Sequence, residues 1–122
     1  MSGTVQGEFS MASLAGAGQT IGTATVTLLT IPGPASGGVQ LLEARAAGTD
    51  GTDVVALRRA ATIKNITGTV SVAGATDFLA ALGNAALAGA ALTFVAVGPN
   101  VELQVTGVLT KTIAWTAEVL VR

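Results

Sequence analysis

Apolar and polar positions alternate most regularly in residues 101–122, where Val101, Leu103 and Val105 interleave with Glu102, Gln104 and Thr106. After a short connection at 107–111, Ile113, Trp115, Ala117, Val119 and Val121 oppose Thr112, Ala114, Thr116, Glu118 and Arg122. A period of two is the signature of half-buried strands, so the segment predicts two strands, joined as a β-hairpin. Trp115, the one Trp of the chain, is expected at the centre of the core. Truncating it to Ala should cost roughly 3–5 kcal/mol.

The same reading upstream predicts further short strands. Residues 20–31, rich in Thr and β-branched side chains, read as one strand, with Val26, Leu28, Leu29 and Ile31 apolar on both faces. The run Ile31-Pro32-Gly33-Pro34-Ala35-Ser36-Gly37-Gly38 is a surface loop, because Pro cannot donate to a ladder and Gly admits positive φ. Residues 39–47 and an interrupted or bulged 54–65 predict a hairpin with Asp50-Gly51 at its tip, helix being the alternative for both because Leu41 to Ala47 are good helix formers. A strand at 66–73, a single helical turn at 76–82 capped by Thr76 or Asp77, and a strand at 92–97 ending in a Gly98-Pro99-Asn100 turn follow. Residues 1–19, rich in Gly, Ser and Ala with apolar points at Val5, Phe9, Met11 and Leu14, read as an N-terminal arm or a loose first strand that orders against a neighbour. Residues 20–122 then make one all-β domain, an antiparallel β-sandwich or jelly roll of about seven or eight short strands.

Composition changes this picture in one respect. Half of the 122 residues are hydrophobic, only 11% are charged and the net charge is −1, against roughly 25% charged residues in an ordinary globular chain. Thirteen charges are thin cover for a free monomer, which points to a surface that meets other protein, including further copies of itself. The near-neutral balance and the absence of a basic cluster argue against nucleic acid. Arg58-Arg59, the one adjacent basic pair, should place one guanidinium on each face of its strand. Residues 78–101 carry no charge, but Gly83, Asn84, Gly89, Gly98, Pro99 and Asn100 interrupt them, so no membrane-spanning helix is expected. No signal peptide is visible at residues 1–8, and without Cys the redox compartment cannot be read.

Candidate chemistry is sparse. With no His, Cys or Tyr, the chain lacks the side chains of nucleophilic triads, thiolate or imidazole metal sites and most near-neutral acid-base work. Asp50 and Asp53 in Gly-Thr-Asp-Gly-Thr-Asp are read as a turn, because a calcium loop needs more oxygen ligands and a nearby Glu. Glu102 and Glu118 could approach across the terminal hairpin as a carboxylate pair, though a solvated β face makes them solubilising charges. Gly16-Ala17-Gly18-Gln19-Thr20-Ile21-Gly22 fails the dinucleotide spacing, and Asn65-Ile66-Thr67 matches a glycosylation triplet without a secretion signal. Three Phe and one Trp are too few for a stacking platform or a sugar-binding strip. No catalytic, cofactor or metal site and no small-molecule substrate is expected.

The stretch V-E-L-Q-V-T-G-V-L-T-K-T-I-A-W-T-A-E-V at 101–119 resembles the closing segment of small β domains in tailed-bacteriophage virion proteins. Leu42-Glu43-Ala44-Arg45-Ala46-Ala47 followed by Val54-Val55-Ala56-Leu57 is similar to an earlier hairpin of the same domains, so the resemblance spans about residues 40–122. It implies a virion structural role without catalysis. The lack of coiled-coil or fibre repeats favours, within that family, a capsid decoration or cement protein on the head, bound to the major capsid protein and to copies of itself. A tail-associated or receptor-binding β module is the alternative.

Overall fold

The computed structural model describes residues 12–122. Eight strands run in the order β1 (Ala12–Ile21), β2 (Thr25–Pro32), β3 (Val39–Thr49), β4 (Val54–Ile66), β5 (Thr69–Gly83), β6 (Ala91–Val97), β7 (Asn100–Thr106) and β8 (Thr112–Val121), with one 3-10 turn at Ala85–Leu87. They form two antiparallel sheets, one of five strands ordered β1-β8-β3-β4-β5 and one of three ordered β2-β7-β6. The sheets pack face to face as a sandwich whose core holds Leu42, Ile63, Trp115 and Val119 from one side and Ile31, Leu92, Leu103 and Val105 from the other. The expected all-β sandwich and its strand number are both present.

Period two correctly assigns the faces of β7 and β8: Val101, Leu103 and Val105 are fully buried, as are Ile113, Trp115 and Val119. The two strands do not form the expected hairpin. β7 lies between β2 and β6, β8 lies between β1 and β3, and the 107–111 link crosses from one sheet to the other. Alternation fixes which side of a strand faces the core but not which strand borders it, and two amphipathic strands bury their apolar faces equally well across the core. Gly107 makes the crossing feasible. Its N–H donates to the Ala24 carbonyl at 3.1 Å, and a Cβ there would sit 2.5 Å from both Gly22 O and Thr20 Oγ1.

Three further expectations are corrected. Residues 20–31 are not one strand: Gly22, at φ +61°, turns the chain so that β1 joins the larger sheet and β2 the smaller. Residues 76–82 are strand, not helix, because the open side of β4 takes the whole of β5 as its partner, from Ile66↔Thr69 to Val55↔Gly83. Helical character appears instead at Ala85–Leu87, where Leu87 is fully buried. The strand expected at 66–73 breaks at a tight turn, with Thr67 at φ 51° and Gly68 at φ 91°, that opens the β4–β5 hairpin. Of the expected N-terminal arm, residues 1–11 lie outside the described residues, and the remainder is a regular strand paired with β8 along its full length.

Other expectations hold. The Asp50-Gly51 turn closes the β3–β4 hairpin, with Gly51 at φ +96°. β4 is bulged, its register shifting three times against β5. In β2 a shift between Thr27 and Leu29 lets Leu28 and Ile31, three residues apart, both face the core.

Candidate functional surface

The carboxylates weighed as chemistry are kept apart. Glu102 lies on the outward side of β7, where its Oε1 accepts from Thr27 Oγ1 at 2.9 Å and Gln104 Nε2 at 3.0 Å. Glu118 lies on the outward side of β8 and accepts from Ser13 Oγ at 3.1 Å. They sit on opposite outer faces of the sandwich, separated by sheets that pack about 10 Å apart. That exceeds the roughly 5–9.5 Å between the two carboxyls of a glycosidase.

The remaining motifs serve local structure. Asp50 Oδ1 accepts from the backbone N–H groups of Thr52 and Asp53 at 2.9 and 2.7 Å. Lys111 Nζ stands 3.6 Å from its other oxygen. Hydrogen bonds to the charged form, first from Asp53 and then from Thr52, hold the Asp50 carboxyl below its ordinary value, and Lys111 adds to this. No group of three or more metal-ligating side chains occurs among the described residues. Asn65 is buried, donating to Pro34 O at 2.9 Å and accepting from the Gly68 N–H at 2.9 Å, so its amide is occupied in holding the loop and the turn. Arg58 and Arg59 take opposite faces, as expected for neighbours on a strand. Arg59 Nη1 pairs with Asp77 Oδ1 at 2.9 Å. No helix among the described residues is long and apolar enough to cross a membrane.

What sequence reading did not bring together is a set of rows across the outer face of the larger sheet. Cross-strand register aligns Ala15, Glu118, Arg45, Arg58 and Leu79 from β1 to β5. The next row toward the Asp50 turn aligns Ala17, Thr116, Ala47, Ala56 and Leu82, and the next Gln19, Ala114, Thr49 and Val54. One half of the face is therefore uncharged, small at its centre and bulkier toward Val54 and Leu82, and the charged row borders it. A shallow, mainly apolar depression of about 520 Å³ lies on the uncharged half between Ala114, Ala47, Val54 and Leu82. Arg45 stands directly opposite Arg58, and among the described residues neither Arg45, Arg58 nor Glu118 forms an ion pair. Like charges directly opposite each other destabilise an isolated pair of strands. The long-range pairing of five strands sets these rows, so no sequence motif could have found them.

The smaller sheet presents a different face. Thr25 and Thr106 share a hydrogen bond at 2.7 Å, and Thr27, Glu102 and Gln104 satisfy one another. Exposed large apolar side chains gather on the far edge of the larger sheet, where Phe78, Leu79 and Leu82 of β5 lie near Val54.

No protein-family model matches the chain, and no curated protein matches it. Among solved structures it is similar to the tailspike protein of Acinetobacter phage vB_ApiP_P1, with a TM-score of 0.50 and 17% identity over 92% of this chain and 21% of that one. It is also similar to tailspike protein gp49 of Acinetobacter baumannii bacteriophage Fri1, a capsular polysaccharide depolymerase, with a TM-score of 0.47 and 13% identity over 97% of this chain and 21% of that one. The chain thus spans about a fifth of the length of each. At such identities the likeness establishes the fold: this sandwich also occurs within a phage tailspike.

Proposed function

We propose that the chain is a non-enzymatic β module of a tailed-bacteriophage virion, carried on the tail. The observation that supports this reading is the fold likeness to a phage tailspike over 92% of the chain. It agrees with the resemblance of residues 101–119 to virion β domains. The preference for the capsid surface rested on the absence of a shaft. That argument loses its weight beside a tailspike of which the matching sandwich makes up only 21%. Decoration of the head therefore yields to the tail.

The geometry of the carboxylates supports leaving catalysis out of this reading. Glu102 and Glu118 face away from each other, Glu102 accepting from Thr27 and Gln104 and Glu118 from Ser13 alone. The role is mechanical and recognitional: the sandwich presents its outer faces and the exposed β5 edge to neighbours, copies of itself among them. The test is location. In particles separated into heads and tails, antibody against this chain should label tails, and particles lacking it should lose adsorption while keeping their heat resistance. Labelled heads with loss of heat resistance would overturn the proposal. Glu102→Gln and Glu118→Gln should leave any polysaccharide degradation by the particle unchanged.

A further inference from the structure

We infer that the outer face of the five-stranded sheet is a self-association surface, occupied by the same face of a second copy of this chain. This goes beyond the tail assignment and does not depend on it. Three observations carry it. The face is large enough: the four strands β1, β8, β3 and β4, at about 4.8 Å spacing and about ten residues at 3.4 Å rise, cover roughly 650 Å², within one partner's share of about 600–1,000 Å² in a standard interface. The centre of its uncharged half is made of small side chains, Ala47, Ala56, Ala114 and Thr116, over which a second sheet can lie closely. Finally, in the row Glu118-Arg45-Arg58 no ion pair closes among the described residues, although Glu118 and Arg45 are cross-strand neighbours, so these charges are open to a partner above the face.

A two-fold arrangement matches these features to one another. An isologous interface sets the same patch against itself. With the axis along the strands and between β8 and β3, Glu118 of each copy meets Arg45 of the other. The same operation sets Thr116 over Ala47 and Ala114 over Thr49 on the uncharged half, and Leu120 over Glu43 on the other. Arg58 then lies over the β1 edge near Ala15, away from its counterpart. The order of charges across the strands, Glu118 then Arg45, is what lets a second copy set an opposite charge above each of these two. A uniformly acidic or basic partner would satisfy only one sign.

The experiment is sedimentation velocity on the purified full chain over a concentration series, with thermal unfolding in parallel. Wild type is expected to dimerise in the micromolar range. Glu118→Arg alone and Arg45→Glu alone should each weaken the dimer about tenfold or more, because each leaves like charges opposed across the interface. The combined Arg45→Glu/Glu118→Arg variant should recover most of the loss, the signature of a direct pair. Ala47→Arg, which fills the flat half with a bulky cation, should abolish association while the thermal midpoint stays within about 4 °C of wild type. A wild type that stays monomeric at high micromolar concentration would overturn the inference. Single reversals without effect, a double variant no better than either single, or association that appears only when an acidic polysaccharide is added would overturn it too. Particle labelling reads the tail assignment separately, so the two can fail independently.

Discussion

The two flanks of the sandwich are built differently. Where β1 and β2 meet, packing is close enough to exclude a methyl group: a Cβ at Gly16 would lie 2.1 Å from the Leu28 carbonyl oxygen, and one at Gly18 2.9 Å from a Leu28 methyl. Just inside this flank Trp115 is 1% exposed, and its indole N–H donates to Thr20 Oγ1 at 2.9 Å, with Thr20 itself wholly buried. At the other flank β5 is exposed from Ala73 to Gly83, with Phe78, Leu79 and Leu82 open to solvent and its register against β4 repeatedly shifted. The lesson is that stability is concentrated at the β1–β2 flank, while the β5 flank is left available for contact. An edge strand that is long, apolar and nearly uncharged is a liability in a free molecule unless something covers it.

Substitutions of graded severity test this contrast. Trp115→Ala should cost about 3–5 kcal/mol and drastically lower the denaturant midpoint, since it empties the largest buried side chain. Gly48→Ala should cost roughly 1–3 kcal/mol by overpacking, because the added methyl would stand 2.6 Å from the Trp115 ring. Thr20→Val, nearly isosteric, strands a buried indole donor and should cost about 1–3 kcal/mol. On the open flank, Leu82→Ala should change stability by less than about 0.5 kcal/mol despite removing more atoms than Thr20→Val. Chemical denaturation of all four measures the contrast. A Leu82→Ala loss comparable to that of Thr20→Val would show that the β5 flank is no less consolidated than its counterpart.

The smallest effect concerns pH. The Asp50 carboxyl is held below its ordinary value, so the folded chain binds its proton less readily than the unfolded chain does. Its contribution is fully present above the unfolded value near 3.8 and is lost as pH falls through the lower folded value. Thermal midpoints of wild type and Asp50→Ala should therefore converge as pH drops from 5 toward 2. A gap that stays constant over that range would remove the carboxylate from the explanation.

The sequence carried the faces of strands but not their neighbours. Alternation at Val101-Leu103-Val105 and at Ile113-Trp115-Ala117 is written by burial, a property of each strand alone, and it was legible. The pairing of β8 with β1 and β3 depends on residues up to about a hundred positions away, and no local signal separates it from a hairpin with β7. Thr76–Leu82 misled for a related reason: its Phe, Leu and Ala suit a helical turn, yet the unpaired edge of β4 drew it into the ladder. The charged row shows the same limit, since Glu118, Arg45 and Arg58 look unrelated until three strands are aligned. Asp50, whose role is short-range, was read correctly as part of a turn, whereas Asn65, met only as a glycosylation triplet, ties the turn to a loop 31 positions away and gave no local signal.

The pairing of β1 with β8 has a mechanical consequence. Ala12 stands directly opposite Val121, so the described chain enters and leaves the sandwich side by side. Tension applied between those two points loads the β1–β8 ladder at one end, opening its bonds in succession like a zipper instead of shearing ten pairs together. Held at Ala12 and pulled at the far corner near Leu109, the same ladder bears the load along its length. How firmly this module withstands force is therefore decided by where it is gripped.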